Sequence, residues 1–238
     1  MNTVRGLIFN VFYALSVLMA SVPVVILGPF LGFQGRIRLF AFWTRVVLWY
    51  LRIICGIRVR VIGQDNIPSQ PVVVVANHQS TWETYALYHL LYPVCTVLKK
   101  ELTYIPVFGW LLLWARPIVI DRSKKATALK EILRQGRNRL NSGLSVLIFP
   151  EGTRVPPRET RSHLPGGAML AVKSGTPVLP VAHNAGLHWP AHKLEKIPGE
   201  IVVKIGAPIT SEGKSAKELN AQLEHWLNAE KAQLLATN

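Results

Sequence analysis

The 238-residue chain is 50% hydrophobic and carries 27 Lys and Arg against 13 Asp and Glu, a formal net charge of +14. That hydrophobic content excludes a disordered chain, and the length suits one catalytic-sized domain with an appendage. With only two cysteines, Cys55 and Cys95, a disulfide scaffold and a Cys-rich zinc site are also excluded, and a reducing compartment fits.

Asp65 is the first acidic residue, whereas residues 1–64 hold seven arginines, at positions 5, 36, 38, 45, 52, 58 and 60, so half of the net charge sits there. An apolar and cationic quarter of this kind suits an anionic membrane surface better than nucleic acid. Residues 6–35 contain no charged side chain, and about 20 apolar residues suffice to cross a bilayer's hydrocarbon. Pro23, Gly28 and Pro29 would kink or end a helix in that run, which gives a helix over 7–27, a turn, and a second helix over 36–57. Arg38, Arg45 and Arg52 recur seven apart in the second helix and form one cationic stripe, accompanied by Trp43, Trp49 and Tyr50. Because an arginine at the bilayer centre costs about 2.5–3.5 kcal/mol even on the mildest scale, this helix is expected to lie flat. The arginine excess places everything from Arg36 onward on the cytoplasmic face, read as that of a bacterial inner membrane, whether the first helix spans or only dips into the bilayer. The apolar run is long and lacks an A-x-A site, so it reads as a retained anchor rather than a cleaved signal peptide. The chain thus divides into a two-helix membrane anchor, 1–57, and a catalytic domain, 58–238.

From position 58 onward short β-branched runs alternate with helical periodicity. Strands are expected at 58–62, 72–76, 95–98, 118–120, 145–149, 178–182 and 201–205, and amphipathic helices over 126–140 and 219–234. This is the pattern of an α/β fold with a mixed, largely parallel sheet flanked by helices; the continuous Val72–Ala76 run implies a strand buried on both faces. The polar, Pro-rich segment 155–163 is the longest evident loop and reads as lining a site.

Two segments follow directly on expected strands, where side chains converge in α/β folds. The first is Asn77-His78-Gln79-Ser80-Thr81-Trp82-Glu83. With Ser80 as the N-cap of a helix, His78 projects from the strand-to-helix corner and Glu83 can reach back to its imidazole. Such a pair is a general base for removing a proton from a hydroxyl. Equally, Ser80 to Glu83 is an S-x-x-E capping box in which the carboxylate only ties off the helix. The second segment is Phe149-Pro150-Glu151-Gly152-Thr153-Arg154. Arg154 can hold a phosphate bidentately, Gly152 admits close backbone approach, and Glu151 can accept hydrogen bonds from substrate hydroxyls; the alternative is an ordinary turn with a solvated arginine.

In order along the chain, Asn77-His78 to Glu83, Pro117 to Arg122, Phe149 to Arg154 and Pro177-Val178-Leu179-Pro180 resemble the motifs of the 1-acylglycerol-3-phosphate acyltransferases, as does the stretch Lys99-Lys100-Glu101-Leu102. The resemblance covers residues 67–181, and four motifs in order are far more specific than any one. It implies that His78 is the catalytic base, Glu83 its orienting carboxylate, and Arg122, Glu151, Gly152, Thr153 and Arg154 parts of the glycerol-phosphate pocket. The implied reaction transfers an acyl group from acyl-CoA or acyl carrier protein, as substrate and not cofactor, to the sn-2 hydroxyl of a lysophosphatidate at the membrane. Two departures stand out: Glu83 replaces the family's Asp, and Leu164-Pro165 replaces a basic residue, leaving Arg158 and Arg161 as candidates for a phosphate contact. Ser80 and Cys95 read as a cap and a strand hydrophobe rather than nucleophiles. His183, His188 and His192 read as surface or pocket-rim residues rather than metal ligands, so no metal, cofactor or nucleic acid is expected. Another acceptor, such as glycerol 3-phosphate, another lysophospholipid or a lyso-aminolipid, is the alternative within the class. A non-catalytic basic membrane- or nucleic-acid-binding protein is the alternative outside it.

Overall fold

Each expected strand is present in the computed structural model, which describes residues 1–27, 30–106 and 108–236. They are β1 (Ile57–Ile62), β2 (Val73–Ala76), β3 (Val94–Lys99), β4 (Ile118–Ile120), β5 (Ser145–Ile148), β6 (Val178–His183) and β7 (Gly199–Ile205). They form one sheet in the order β1-β7-β6-β2-β5-β3-β4, parallel at every pairing except β6 with β7. All four residues of β2 are buried, as its uninterrupted apolar run requires of a strand with neighbours on both edges and helices on both faces.

Side chains alternate across the sheet, and each face builds its own core. Val74, Ala76, Leu147, Leu179, Val181 and Val203 face helix α2 (Phe33–Cys55) and helix α3 (Trp82–Leu90). Val73, Val75, Val146, Ile148, Val178 and Val202 face α5 (Lys125–Asn141), α6 (Gly166–Ser174) and α7 (Ala216–Ala236), with α4 (Phe108–Trp114) lying between β3 and β4 in the chain. Neither α4 nor α6 was legible as a helix. The first is apolar on every side, and the second opens on Gly166-Gly167, which reads as a loop. Gly167 is there for proximity: a Cβ on it would stand 2.9 Å from Val75 Cγ2, so the missing side chain lets α6 seat directly on β2.

Helix α1 (Asn2–Leu27) begins five residues earlier than the apolar pattern indicates and runs through Pro23 for one further turn, so that proline does not end it. Gly28 and Pro29 lie outside the described residues. Helix α2 has the periodicity read from the sequence. It buries Ile37, Phe40, Trp43, Val47, Leu51 and Cys55 in the same cluster as β2 and β6, and leaves Arg38, Arg45 and Arg52 exposed along its other side. Phe9 of α1 joins this cluster, packed edge-on to Trp189 at 5.1 Å between ring centroids, and Tyr13 meets Tyr85 of α3 hydroxyl to hydroxyl at 2.7 Å. The outer face of α1 stays apolar and exposed, from Leu7 through Val11, Leu15, Leu18 and Met19 to Ile26.

Candidate active site

Four neighbouring parallel strands point their carboxyl ends the same way, and the chemical residues follow those ends. β2 delivers Asn77 and His78, β5 delivers Phe149 to Arg154, β3 ends at Lys99, and β4 leads into Asp121 and Arg122. A cavity of about 150 Å³ opens among them, walled by Phe40 of α2, Tyr85 and Tyr88 of α3, and Phe149, with His78, Lys99, Arg122 and Arg154 on its surface. Tyr13 of α1 approaches the same region through Tyr85.

His78 stands in the corner before α3, as its pairing with Glu83 demands. Its Nδ1 lies 2.7 Å from Glu83 Oε1, and its ring stacks on Phe149 at 4.3 Å. The same Glu83 oxygen accepts the backbone N–H groups of Gln79 and Ser80, each at 2.8 Å, while Ser80 Oγ accepts the Trp82 N–H at 3.1 Å. The His78–Glu83 contact and the Glu83 half of the capping box are therefore both made, on one carboxylate oxygen, while the Ser80 hydroxyl caps Trp82 rather than Glu83. The capping hydrogen bonds belong to Ser80 although the regular helix begins at Trp82, two residues later. Burial pushes the Glu83 carboxyl upward, but the pull of the His183 and His78 rings whenever either is protonated, with the bonds from His78 and Ser80, outweighs it and holds the group below its ordinary value. An ionised Glu83 is an acceptor for an Nδ1–H of His78, and in the neutral tautomer that this favours Nε2 is the ring's free acceptor.

Glu151 departs from its expected role. It is buried and does not line the cavity; its Oε2 accepts the His78 N–H at 2.5 Å, so it grips the backbone of the imidazole rather than facing a substrate hydroxyl. The reason is local: Gly152, at φ +70°, turns the chain after Pro150 and folds the carboxylate inward beneath His78. Burial pushes the Glu151 carboxyl up to about 7, against the His78 N–H bond and the charges of Lys231 and Arg161. Gly152 offers its carbonyl to Arg122 Nη1 at 2.5 Å, which aims that guanidinium, and Thr153 is exposed. Arg154 and Arg122 remain as the paired cations of the cavity. Arg158 and Arg161, expected to replace the family's missing basic residue, are exposed and do not line the cavity. Lys99 does line it, its Nζ 3.3 Å from Glu101 Oε1; its stretch resembles the family's in sequence, and its place beside Ile120 of β4 puts it at the cavity.

His183, His188 and His192 do not form a rim. His183 is fully buried: Nε2 donates to the Asn77 carbonyl at 2.8 Å, Nδ1 accepts the Ala185 N–H at 3.3 Å, and Asn77 returns two further bonds to its backbone at 2.9 Å. Burial pushes its ring below the ordinary value, so it serves as a neutral pin between β6 and the loop that carries His78. His188 is nearly buried and bonded to the Ile197 carbonyl at 3.1 Å; only His192 is exposed. Ser80 is buried with its hydroxyl capping α3, and Cys95 is sealed in β3, its thiol pushed up to about 12 by burial, so neither presents a nucleophile.

A family model described as acyltransferase matches residues 58–184. The chain is 41% identical over 237 residues to a 1-acyl-sn-glycerol-3-phosphate acyltransferase of Pseudomonas aeruginosa, covering 98% of this chain and 92% of that one. It is 31% identical over 178 residues to the enzyme of the same name from Saccharomyces cerevisiae, covering 71% of this chain and 58% of the longer yeast protein. The crystal structure of the 1-acyl-sn-glycerophosphate acyltransferase of Thermotoga maritima superposes with a TM-score of 0.76 at 27% identity, over 99% of this chain and 96% of that one.

Proposed function

This chain belongs to the 1-acyl-sn-glycerol-3-phosphate acyltransferase family, and we propose that it carries out that transfer with His78 as general base and an acyl-CoA or acyl carrier protein thioester as donor. The observation that carries the mechanism is the 2.7 Å contact of His78 Nδ1 with a buried carboxylate, beside a cavity that also holds Arg122 and Arg154. The two guanidiniums bind the phosphate of the lysophosphatidate and bring its sn-2 hydroxyl to His78 Nε2. Nε2 takes the hydroxyl proton as the oxygen attacks the thioester carbonyl carbon. Glu83 stabilises the imidazolium so formed. Collapse of the tetrahedral intermediate breaks the C–S bond, and the departing thiolate recovers the proton from Nε2. No acyl-enzyme is formed. The products are phosphatidate and the free thiol.

Membrane association belongs to the same reading. α1 contains one stretch apolar and long enough to cross a bilayer, Asn2–Pro23, with a mean hydropathy of 1.7. Yet the Lys196 N–H bonds to the Asn2 carbonyl at 3.3 Å, and Phe9 and Tyr13 are bound to the catalytic body. A helix so fastened along its first half favours insertion of its exposed face into one leaflet over a free crossing. The exposed Phe42, Trp49 and Ile53 of α2 extend that face, and its arginine stripe suits anionic headgroups.

Purified wild type and His78→Ala, assayed with lysophosphatidate and a panel of thioester donors and lyso acceptors, test the proposal. Transfer to lysophosphatidate should fall by at least ~10³-fold in the variant. Equal rates in the two proteins would refute it.

A further inference from the structure

In α7 the residues that hold the helix against the sheet are Leu219, Leu223, Leu227 and Leu234, all buried. Lys231 stands on that same face, four residues after Leu227, and is only 5% exposed. An aliphatic side chain would satisfy the packing; an ammonium in this place is costly unless its charge is used. Lys231 Nζ donates to the Glu159 carbonyl at 2.6 Å, in the loop that follows Arg154. Its ammonium also acts through space on the Glu151 carboxylate, opposing the effect of burial on that group. The hydrogen bond and the through-space attraction both lead to His78. Its N–H is held by Glu151 at 2.5 Å, and its carbonyl accepts the Val155 N–H at 2.8 Å, at the start of the same loop.

We propose that Lys231 is a positioning residue for acyl transfer: from the carboxy-terminal helix it ties the 155–163 loop through the Glu159 carbonyl and sustains the negative charge on Glu151 that grips the His78 backbone. The inference rests on His78 being the general base. The charged groups around Glu151 come from three sides: Lys231 of α7, Arg161 of the loop, and Glu83 of α3, the last opposing its ionisation. Burial pushes Lys231 toward its neutral form and the Glu151 charge opposes that, while His163, buried and pushed toward its neutral form, feels both Glu224 of α7 and Lys231. Removing the Lys231 charge therefore leaves Glu151 facing Glu83 with Arg161 as its remaining cation.

The test is the pH profile of kcat/KM for Lys231→Met and Lys231→Arg, taken from ~5.5 to ~9 beside the wild type, with melting temperatures for each. Lys231→Met is expected to lose about five- to tenfold at neutral pH, to move the acid limb upward by roughly one pH unit, and to recover toward wild type at the alkaline end. Lys231→Arg should stay within about twofold throughout. In a Glu151→Gln background, Lys231→Met should no longer move the limb. The inference is overturned if Lys231→Met matches the wild type, loses the same factor at every pH, or shifts the limb equally with Gln at 151. Should Lys231→Met not fold, Lys231→Gln keeps a donor for the Glu159 carbonyl and carries the same test. His78→Ala, measured in parallel, separates the two readings: wild-type rates would sink the general base, whereas an inactive His78→Ala beside an unshifted Lys231→Met would sink only the role of Lys231.

Discussion

Glu151→Gln is expected to make the protein more stable at alkaline pH and less active. The buried wild-type carboxyl is pushed from 4.5 to about 7, chiefly because burial disfavours its anion. Between those values the native protein holds a proton that the unfolded chain releases, so stability falls as pH rises through the window, and the full penalty is present above pH 7. At about 1.4 kcal/mol per pKa unit, the shift corresponds to about 3 kcal/mol. Gln is neutral at every pH, and its side-chain carbonyl can still accept the His78 N–H. Lys231 then loses an anionic neighbour, which offsets part of the gain and leaves about 1–3 kcal/mol. For a chain of this size 1 kcal/mol moves the melting temperature by roughly 2–4 °C.

Melting curves of both proteins in one detergent, followed by intrinsic tryptophan fluorescence, should therefore separate by roughly 3–10 °C at alkaline pH and converge below ~4.5. A separation that does not depend on pH would refute the reasoning, since every other titrating group is common to the two proteins. The activity should move the opposite way. A bond to a carboxylate is roughly twice as strong as one to an amide, so its exchange loosens the His78 backbone and should lower kcat about tenfold.

Glu83→Gln keeps an acceptor for His78 Nδ1 but removes the charge that, on the proposed mechanism, stabilises the imidazolium; kcat should drop about 100-fold, for a loss of about 3 kcal/mol, with little change in acceptor KM. A variant within a few-fold of wild type would show that the carboxylate serves only as a cap. Arg154→Ala should raise the acceptor KM by at least ~10-fold and leave the donor KM nearly unchanged, and equal KM values for the acceptor would remove Arg154 from the phosphate site. Gly6→Ala places a Cβ 1.8 Å from the Leu194 carbonyl oxygen, so the start of α1 must lift away at a cost of about 1–3 kcal/mol. Limited proteolysis within residues 190–198 should accelerate, and an unchanged cleavage rate would contradict the tight seating of α1 on that loop.

The sheet was readable because its strands are short, apolar and β-branched, and the unbroken Val72–Ala76 run marked β2 as interior. What the chain does at the ends of those strands was less legible. Spacing alone allowed Glu83 to be either a cap or the partner of His78, since both need the carboxylate to turn back over the first turn of α3; one oxygen does both. Glu151 resisted reading for a different reason. Whether a side chain after a strand faces the cavity or the interior depends on the turn that follows, and Gly152 sends this one inward. Lys231 depends on a contact between elements distant in sequence, α7 with the 155–163 loop, which no local pattern encodes. His183 looked like one of three similar histidines because its partner, Asn77, lies 106 residues away.

The arrangement also explains why so apolar an amino-terminal quarter accompanies so polar a site. Phe40 of α2 is at once a core residue, packed edge-on to Tyr88 at 4.7 Å, and part of the cavity wall that carries His78 and Arg154. Tyr13 of α1 bonds to Tyr85, which lines the same cavity. Lys196, fully buried, sits 5.0 Å from the Trp189 ring and 5.9 Å from that of Phe9, so its ammonium is held between the first helix and the body by two aromatic faces and the Leu194 carbonyl, 2.9 Å away. The two leading helices therefore cannot move as a loosely tethered anchor without repacking the walls of the site. On the proposed insertion into one leaflet, that rigidity sets the depth of the cationic cavity relative to the headgroups, so an acceptor that keeps its acyl chain in the membrane can present phosphate and hydroxyl together.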